Sequence, residues 1–552
     1  MREGLAARVA ARIDLGRPLP VPHRALQIEA EACTYAGVLH DRPALLDRAE
    51  QCLSALRSQQ GEDGLFEVGD NVCSPPDSSF TANGLARLVR VCRVLGAATA
   101  AIEGQASGIL HATVPGLLRG GVHTPNHRWE MAVALAELAD LYGVAEARSR
   151  AEEWLAEGID IQADGLYSER SPHYAGRVSN PCLLRLATLL DRPDLTEIVH
   201  RNLHAHLLLI DGDEVESIQS RRQDQKLRVT VDELAWFFRA VALRTGCRVC
   251  GDAAHSAGEV PAWFAYAALG ELLLHPDLAD DLPTSERDAE PGAEPGMRPG
   301  AELSPGPTTE PGWTVLEPSG LTVWQGGRGR LVGRAARDVS LLRRAGSGIA
   351  ANPTFARWRA GELRVTSLRL SRTFFGLGPF RATEMMVKDG ALLLCERVSA
   401  AYYQPAAGAD GYEFEGRFSA EMGFSGRATD EVVLTTQVRL MPGDGCLELV
   451  VTSEGPLVLM SLEIGFGDVE VSGGCTVALA DGQLGLVGPG RVSVDGQPLD
   501  ITVEGHEPEP RAAYDPGEAY TFLGGTDAVD GTRLYVSLAA PGRMRLVMTL
   551  AG

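Results

Sequence analysis

Apolar residues recur at three- and four-residue spacing through the first half of the chain and at every second position in stretches of the last part. Segments 85–91 and 131–139 carry apolar side chains at helical spacing, as expected where one face of a helix is buried. Similar patterns run over roughly 183–190, 197–209, 231–243 and 261–274. Gly61-Glu62-Asp63-Gly64, Ser74-Pro75-Pro76-Asp77, Pro125-Asn126 and Ala163-Asp164-Gly165 read as breaks between helices. About five or six antiparallel hairpins result, which predicts an α/α toroid, an incomplete barrel of helical hairpins, in preference to a simple bundle. After Trp313 the period changes to two: segments 363–370, 432–440 and 447–453 alternate, with Gly or Pro turns between them. An antiparallel β-sandwich is expected there. Between the halves, Pro283, Pro291, Pro295, Pro299, Pro305, Pro307 and Pro311 are mixed with Glu and Gly, the composition of a linker. The expected division is 1–280 helical, 281–312 linker and 313–552 sandwich.

Composition adds boundaries. At 552 residues, 45% hydrophobic and 22% charged, the chain exceeds a single core and is not globally disordered. A formal charge of −22 argues against nucleic acid and anionic membranes as partners. An acidic oligosaccharide stays open, because an arginine cluster acts within the screening length of about 10 Å. Residues 1–20 hold no apolar core of signal-peptide length, and no apolar run reaches membrane-spanning length, so a cytoplasmic location is expected. The ten cysteines are scattered, unlike a disulfide scaffold. Cys247-Arg248-Val249-Cys250 is an isolated CxxC. With no second Cys/His pair at zinc spacing beside it, neither metal nor cofactor is expected.

Candidate chemistry lies in short polar islands within the apolar helical half. The first is Asn126-His127-Arg128-Trp129-Glu130 and the second Ser168-Glu169-Arg170-Ser171-Pro172-His173-Tyr174. An amide, an imidazole and a phenol can together neutralise a carboxylate, remove a carbon-bound proton and protonate a leaving oxygen. Each residue also has a purely structural reading. Asn126 could be an N-cap with Glu130 completing a capping box, and Tyr174 could bond only backbone. A catalytic phenol needs cationic neighbours to lower its pKa from about 10, and Arg170, Arg177 and Arg221-Arg222 are available. The third island, Ser220-Arg221-Arg222-Gln223-Asp224-Gln225, could clamp a carboxylate or be a solvated turn. Asp63 and Asp77 could be turn residues, and Trp129, Trp236 and Trp358 either sugar platforms or core.

The Asn-His pair at a helix start, followed by a Glu-x-Ser-Pro-x-Tyr loop, resembles the heparinase II/III-like and oligoalginate lyase group of polysaccharide lyases. The resemblance implies an α/α toroid followed by an antiparallel β-sandwich, the order read above from periodicity. It implies Asn126 and His127 as carboxylate-neutralising groups and Tyr174 as the proton-transfer group. His173, Glu169, Arg170, Arg221, Arg222, Asp224, Asp77 and Trp129 are candidate substrate contacts. Relatives add a histidine from the start of the β-domain, whereas this β-domain has only His506, near its end. Its early loop reads Ala351-Asn352-Pro353-Thr354-Phe355-Ala356-Arg357-Trp358, which makes Asn352 and Arg357 candidate replacements. The leading expectation is β-elimination from a uronic-acid glycan. The alternatives are a glycoside hydrolase using two of Asp77, Glu130, Glu169 and Asp224, and a non-catalytic glycan-binding protein.

Overall fold

A computed structural model of the chain describes residues 1–124, 126–220, 228–285, 312–335, 353–405, 426–512, 519–520, 525–526 and 531–551. The chain divides into two compact units, one of Met1–Ser217 with Leu227–Pro305 and one of Ile218–Lys226 with Gly306–Gly552. Nearly all of the Pro-rich segment expected as a linker lies outside the described residues.

The first unit is helical. In chain order its helices are α1 (Arg2–Ala11), α2 (His23–Leu39), α3 (Pro43–Gln59), α4 (Pro75–Leu95), α5 (Ala100–Ala112), α6 (Val114–Arg119), α7 (His127–Tyr142), α8 (Ala145–Ala156), α9 (Pro172–Tyr174), α10 (Asn180–Leu189), α11 (Pro193–Leu207), α12 (Asp232–Thr245), α13 (Arg248–Ser256) and α14 (Ala265–Leu274). Proline opens α3, α4 and α11, where its missing N–H costs no hydrogen bond. The Ser74-Pro75-Pro76-Asp77 stretch starts α4: Ser74 Oγ accepts from the Asp77 amide at 3.3 Å and donates to the Asp77 carboxylate at 2.7 Å. Hairpins α2–α3, α4–α5, α7–α8, α10–α11 and α12–α13 pack as antiparallel pairs. Contacts α2–α4, α4–α7 and α7–α10 link their first members, and α14 returns to α2 and α4. The row of hairpins therefore curls on itself, as expected from the helical periodicity.

The second unit is built on a 15-stranded, almost entirely antiparallel sheet. The alternation predicted at 363–370, 432–440 and 447–453 falls in the strands Leu363–Arg372, Thr429–Gly443 and Cys446–Gly467. Along one side of Cys446–Gly467 runs Thr532–Leu550, with Leu447 opposite Met548 and Ile464 opposite Leu534. Along the other side, Thr429–Gly443 pairs with its first half and Leu363–Arg372 with its second. The change of partner coincides with a register shift between Ser453 and Val458. Gly455 lies there with φ +140, and a Cβ at that position would come 2.6 Å from the Val433 carbonyl oxygen, so only glycine makes the bend without strain. The folded-over ladder encloses one continuous apolar core that includes Leu368, Leu370, Leu462, Ile464, Leu534 and Val536.

One sequence expectation for this unit is corrected. Arg357 and Trp358 sit in the strand Ala356–Ala360, not in a loop. Strand alternation buries Trp358 at 2% exposure and leaves Arg357 half-buried, its Nε donating to the Thr366 carbonyl at 3.0 Å. Asn352 lies outside the described residues.

Candidate functional site

The polar islands meet at the N-terminal ends of α7 and α9. Asn126 occupies the N-cap position of α7, yet its side chain makes no capping bond. Its amide instead donates to Glu169 Oε1 at 3.4 Å, and Thr124 Oγ1 donates to its Oδ1 at 3.3 Å. The first and second islands, 43 residues apart in sequence, are thus joined, and the simple capping account of Asn126 does not hold. His127 opens α7 with its ring edge-on to two others, His123 at 5.0 Å and Phe80 at 5.8 Å between centroids.

The second island is held by its backbone. Arg170 is buried and has φ +52, a left-handed conformation that is uncommon for a non-glycine residue. Ser171 is extended and caps the next turn, its Oγ accepting from the Tyr174 amide at 3.0 Å, with Pro172 at the first helical position. Tyr174 and His173 are half-buried, rings edge-on at 5.4 Å, in keeping with a loop that presents rather than hides them. A π-helical turn, Ala175–Ser179, follows, a distortion found preferentially at functional sites. Within it Arg177 pairs with Glu233 at 3.0 Å and lies over the Trp263 ring at 4.1 Å.

Beyond Asp77, sequence reasoning missed what α2 and α4 contribute. Arg24, one residue into α2, pairs with Asp77 and covers the face of Phe80 at 3.9 Å. The arginine side chain remains 38% exposed and the aspartate only 8%, so Asp77 serves to hold a partly accessible guanidinium. His23 is stacked on Phe66 and hydrogen-bonded to Thr81; burial, helped by Arg24, lowers its pKa to about 4, which keeps it neutral. The only sequence signal for this group is a His-Arg pair beginning a helix.

One helical turn deeper, a cavity of about 210 Å³ is lined by Phe80, Asn83, Arg87, Glu130, Glu137 and Arg177 among others. It does not itself include Asn126, His127 or Tyr174; Phe80 is the residue shared with the ring cluster. Glu130 is buried, and its neutral partner Asn83 donates from Nδ2 at 2.6 Å. Burial raises its pKa to about 7 despite that bond, so the carboxyl is partly protonated near neutrality. Glu137 is bridged by Arg90 and Arg185, and Glu31 by Arg87.

Other predicted residues separate from this group. Trp129 is 1% exposed, with Arg128 over its ring at 4.5 Å, so its indole offers no face to a sugar and belongs to the core; Trp236 is buried too, but lines the cavity. Arg221, Arg222 and Asp224 lie outside the described residues. The CxxC, expected to lack partners, has two: His200 and His204 approach Cys247 and Cys250, and all four donor atoms lie within 4.8 Å of one another. The Cys247 thiol is lowered to about 2, first by its hydrogen bond with Cys250 and then by His200 and His204, against the effect of burial.

No family model matches the sequence, and no curated protein matches it. Among solved structures, heparinase III superposes with a TM-score of 0.55 at 10% identity, over 96% of this chain and 76% of that one. A Streptomyces coelicolor A3 chondroitin AC lyase in complex with chondroitin sulphate gives 0.49 at 12% identity, over 100% and 79%. A glycosyl hydrolase family 88 protein from Bacteroides vulgatus gives 0.35 at 9% identity, over 50% and 97%. The heparinase III likeness gives the fold: a helical toroid followed by an antiparallel β-sandwich, the architecture of polysaccharide lyases. Among the described residues no helix is long and apolar enough to cross a membrane.

Proposed function

We propose that the protein is a carbohydrate-active enzyme, and specifically a lyase that cleaves a uronic-acid-containing glycan by β-elimination. The observation that carries this reading is the Asn126–Glu169 bond, because it draws Asn126, His127 and the Tyr174 loop into one polar group. Elimination removes the proton α to the uronate carboxyl, forms a C4–C5 double bond and expels the C4 oxygen, which takes up a proton. The developing enolate needs positive potential. The N-terminal end of the 16-residue α7 supplies part of it through the helix dipole, and Asn126 and His127 add side-chain donors there. Arg24 is a guanidinium of the same helical unit with enough exposure to meet a carboxylate, and Arg177 is about as exposed. Tyr174 is the proton-transfer group in this scheme, and the substrate is an acidic oligosaccharide. His173, Glu169 and Arg170 frame the loop.

A hydrolase is the second reading, favoured by Glu130. A buried carboxyl with a pKa of about 7 is what a general acid requires. The decisive assay incubates the protein with uronate-containing oligosaccharides and follows ultraviolet absorbance together with reducing ends. An unsaturated, absorbing product is expected from elimination. New reducing ends without absorbance would replace the lyase by the hydrolase, and neither signal on any substrate would leave glycan binding without turnover.

A further inference from the structure

We propose that His200, His204, Cys247 and Cys250 form a structural zinc site inside the helical unit. Helix α11 places His200 and His204 one turn apart on the same face, with ring centroids 4.5 Å apart and planes perpendicular. Opposite them, Gly246 ends α12 in the left-handed conformation, and Cys247 caps α13, its sulfur accepting from the Cys250 amide at 3.5 Å. His204 Nε2 lies 3.4 Å from Cys247 Sγ. Zinc bonds of about 2.3 Å to sulfur and 2.0–2.1 Å to nitrogen give a tetrahedron with edges of about 3.3–3.8 Å, and the four donors already lie within 4.8 Å of one another.

Two details favour a metal over a dithiol that merely happens to have histidine neighbours. His200 Nδ1 is held by Glu197 at 3.3 Å, the carboxylate–imidazole relay that fixes the tautomer of a metal ligand. That leaves Nε2 to face the cluster, and this atom is buried and makes no hydrogen bond. Four protein ligands leave no open position, so the site is structural rather than catalytic. It pins α11 to the α12–α13 turn, bridging 43 residues of chain between His204 and Cys247, and so steadies α12, whose Trp236 and Phe237 line the cavity.

The test is metal analysis of the intact protein purified without chelator. About one zinc per chain is expected, released by a mercurial thiol reagent, with a lowered melting temperature on removal that added zinc restores. Replacing zinc by cobalt should give a thiolate-to-cobalt charge-transfer band and the visible bands of a tetrahedral ion. Cys247→Ser and His204→Gln should abolish the metal, and Cys475→Ser should retain it. Should the site variants fail to fold, the cobalt spectrum of the unmodified protein still decides. A protein without zinc that gives no charge-transfer band with cobalt, or a Cys247–Cys250 disulfide in the native chain, would overturn the proposal.

Discussion

Glu130 in the helical unit and Glu463 in the β-unit are both buried carboxylates, at 6% and 1% exposure, with opposite company. Glu463 receives the Arg369 guanidinium, its Nε at 2.8 Å, and the Tyr535 hydroxyl at 2.9 Å. A second pair in that unit, Arg372 with Glu396, is equally buried. Glu130 has neutral close partners, the Asn83 amide and the Cys182 thiol, and its pKa rises to about 7. A carboxylate matched by a cation has its buried charge compensated. One matched by an amide exchanges protons near neutral pH. The β-unit uses its buried charge to fix packing, and the helical unit keeps a group that can work.

The comparison can be broken first at the phenol. If proton transfer resides in the helical unit, Tyr174→Phe should lower turnover by about 10²–10⁴-fold while the fold survives; circular dichroism and initial rates measure both, and near-normal rates would remove Tyr174 from the mechanism. Next in size, Arg369→Met strands Glu463 and should destabilise the β-unit by roughly 3–5 kcal/mol in urea melts. A loss below 1 kcal/mol would mean the pair is far better solvated than its burial implies. Third, the raised pKa of Glu130 gives its stability term a definite sign. The term is neutral below the ordinary carboxylate value, becomes unfavourable as pH rises toward about 7, and is constant above. Glu130→Gln keeps an acceptor for Asn83 but cannot ionise. Its stability relative to the parent should therefore increase by about 3 kcal/mol between about pH 4.5 and about pH 8. A flat difference would mean that Glu130 titrates normally. The smallest effect is expected for Arg128→Ala, which loses its ion pair with the half-exposed Glu157 and its contact with Trp129, at about 1 kcal/mol.

Where periodicity was long and regular, as in α4, α7 and the strand Leu363–Arg372, the element was legible, but α7 is buried all round from Trp129 to Leu138 and the strand on both sides after Thr366, so a single buried face was not the outcome there. The Ser74-Pro75-Pro76-Asp77 break marks the boundary before α4, because proline opposes helix interiors but suits a first turn. One local reading failed for an identifiable reason. Ala356-Arg357-Trp358-Arg359-Ala360 alternates like a strand, but the Asn-Pro before it drew attention to a turn. The islands were visible because they are dense in polar residues. Arg24, Phe80 and Asn83 were not, since each is a lone residue on an ordinary amphipathic helix. The partners of Cys247 and Cys250 did leave a signal, since His200 and His204 stand at H-x3-H spacing; the pair was missed because it lies 43 residues upstream on another helix, and the fold brings the two together.

The bend at Gly455 has a consequence for how the β-unit is made. The strand Cys446–Gly467 changes partner on one side at that bend, and its companion along the other side is Thr532–Leu550, beginning some 65 residues after Gly467. Neither half of the strand has its second neighbour until that late segment has left the ribosome. The helical hairpins, whose contacts are mostly between adjacent elements, can form as they emerge, whereas the β-half must wait with apolar strands uncovered. Chaperone demand during synthesis should therefore fall on the second half of the chain, and a stop codon before residue 532 should leave soluble helices attached to an aggregating tail.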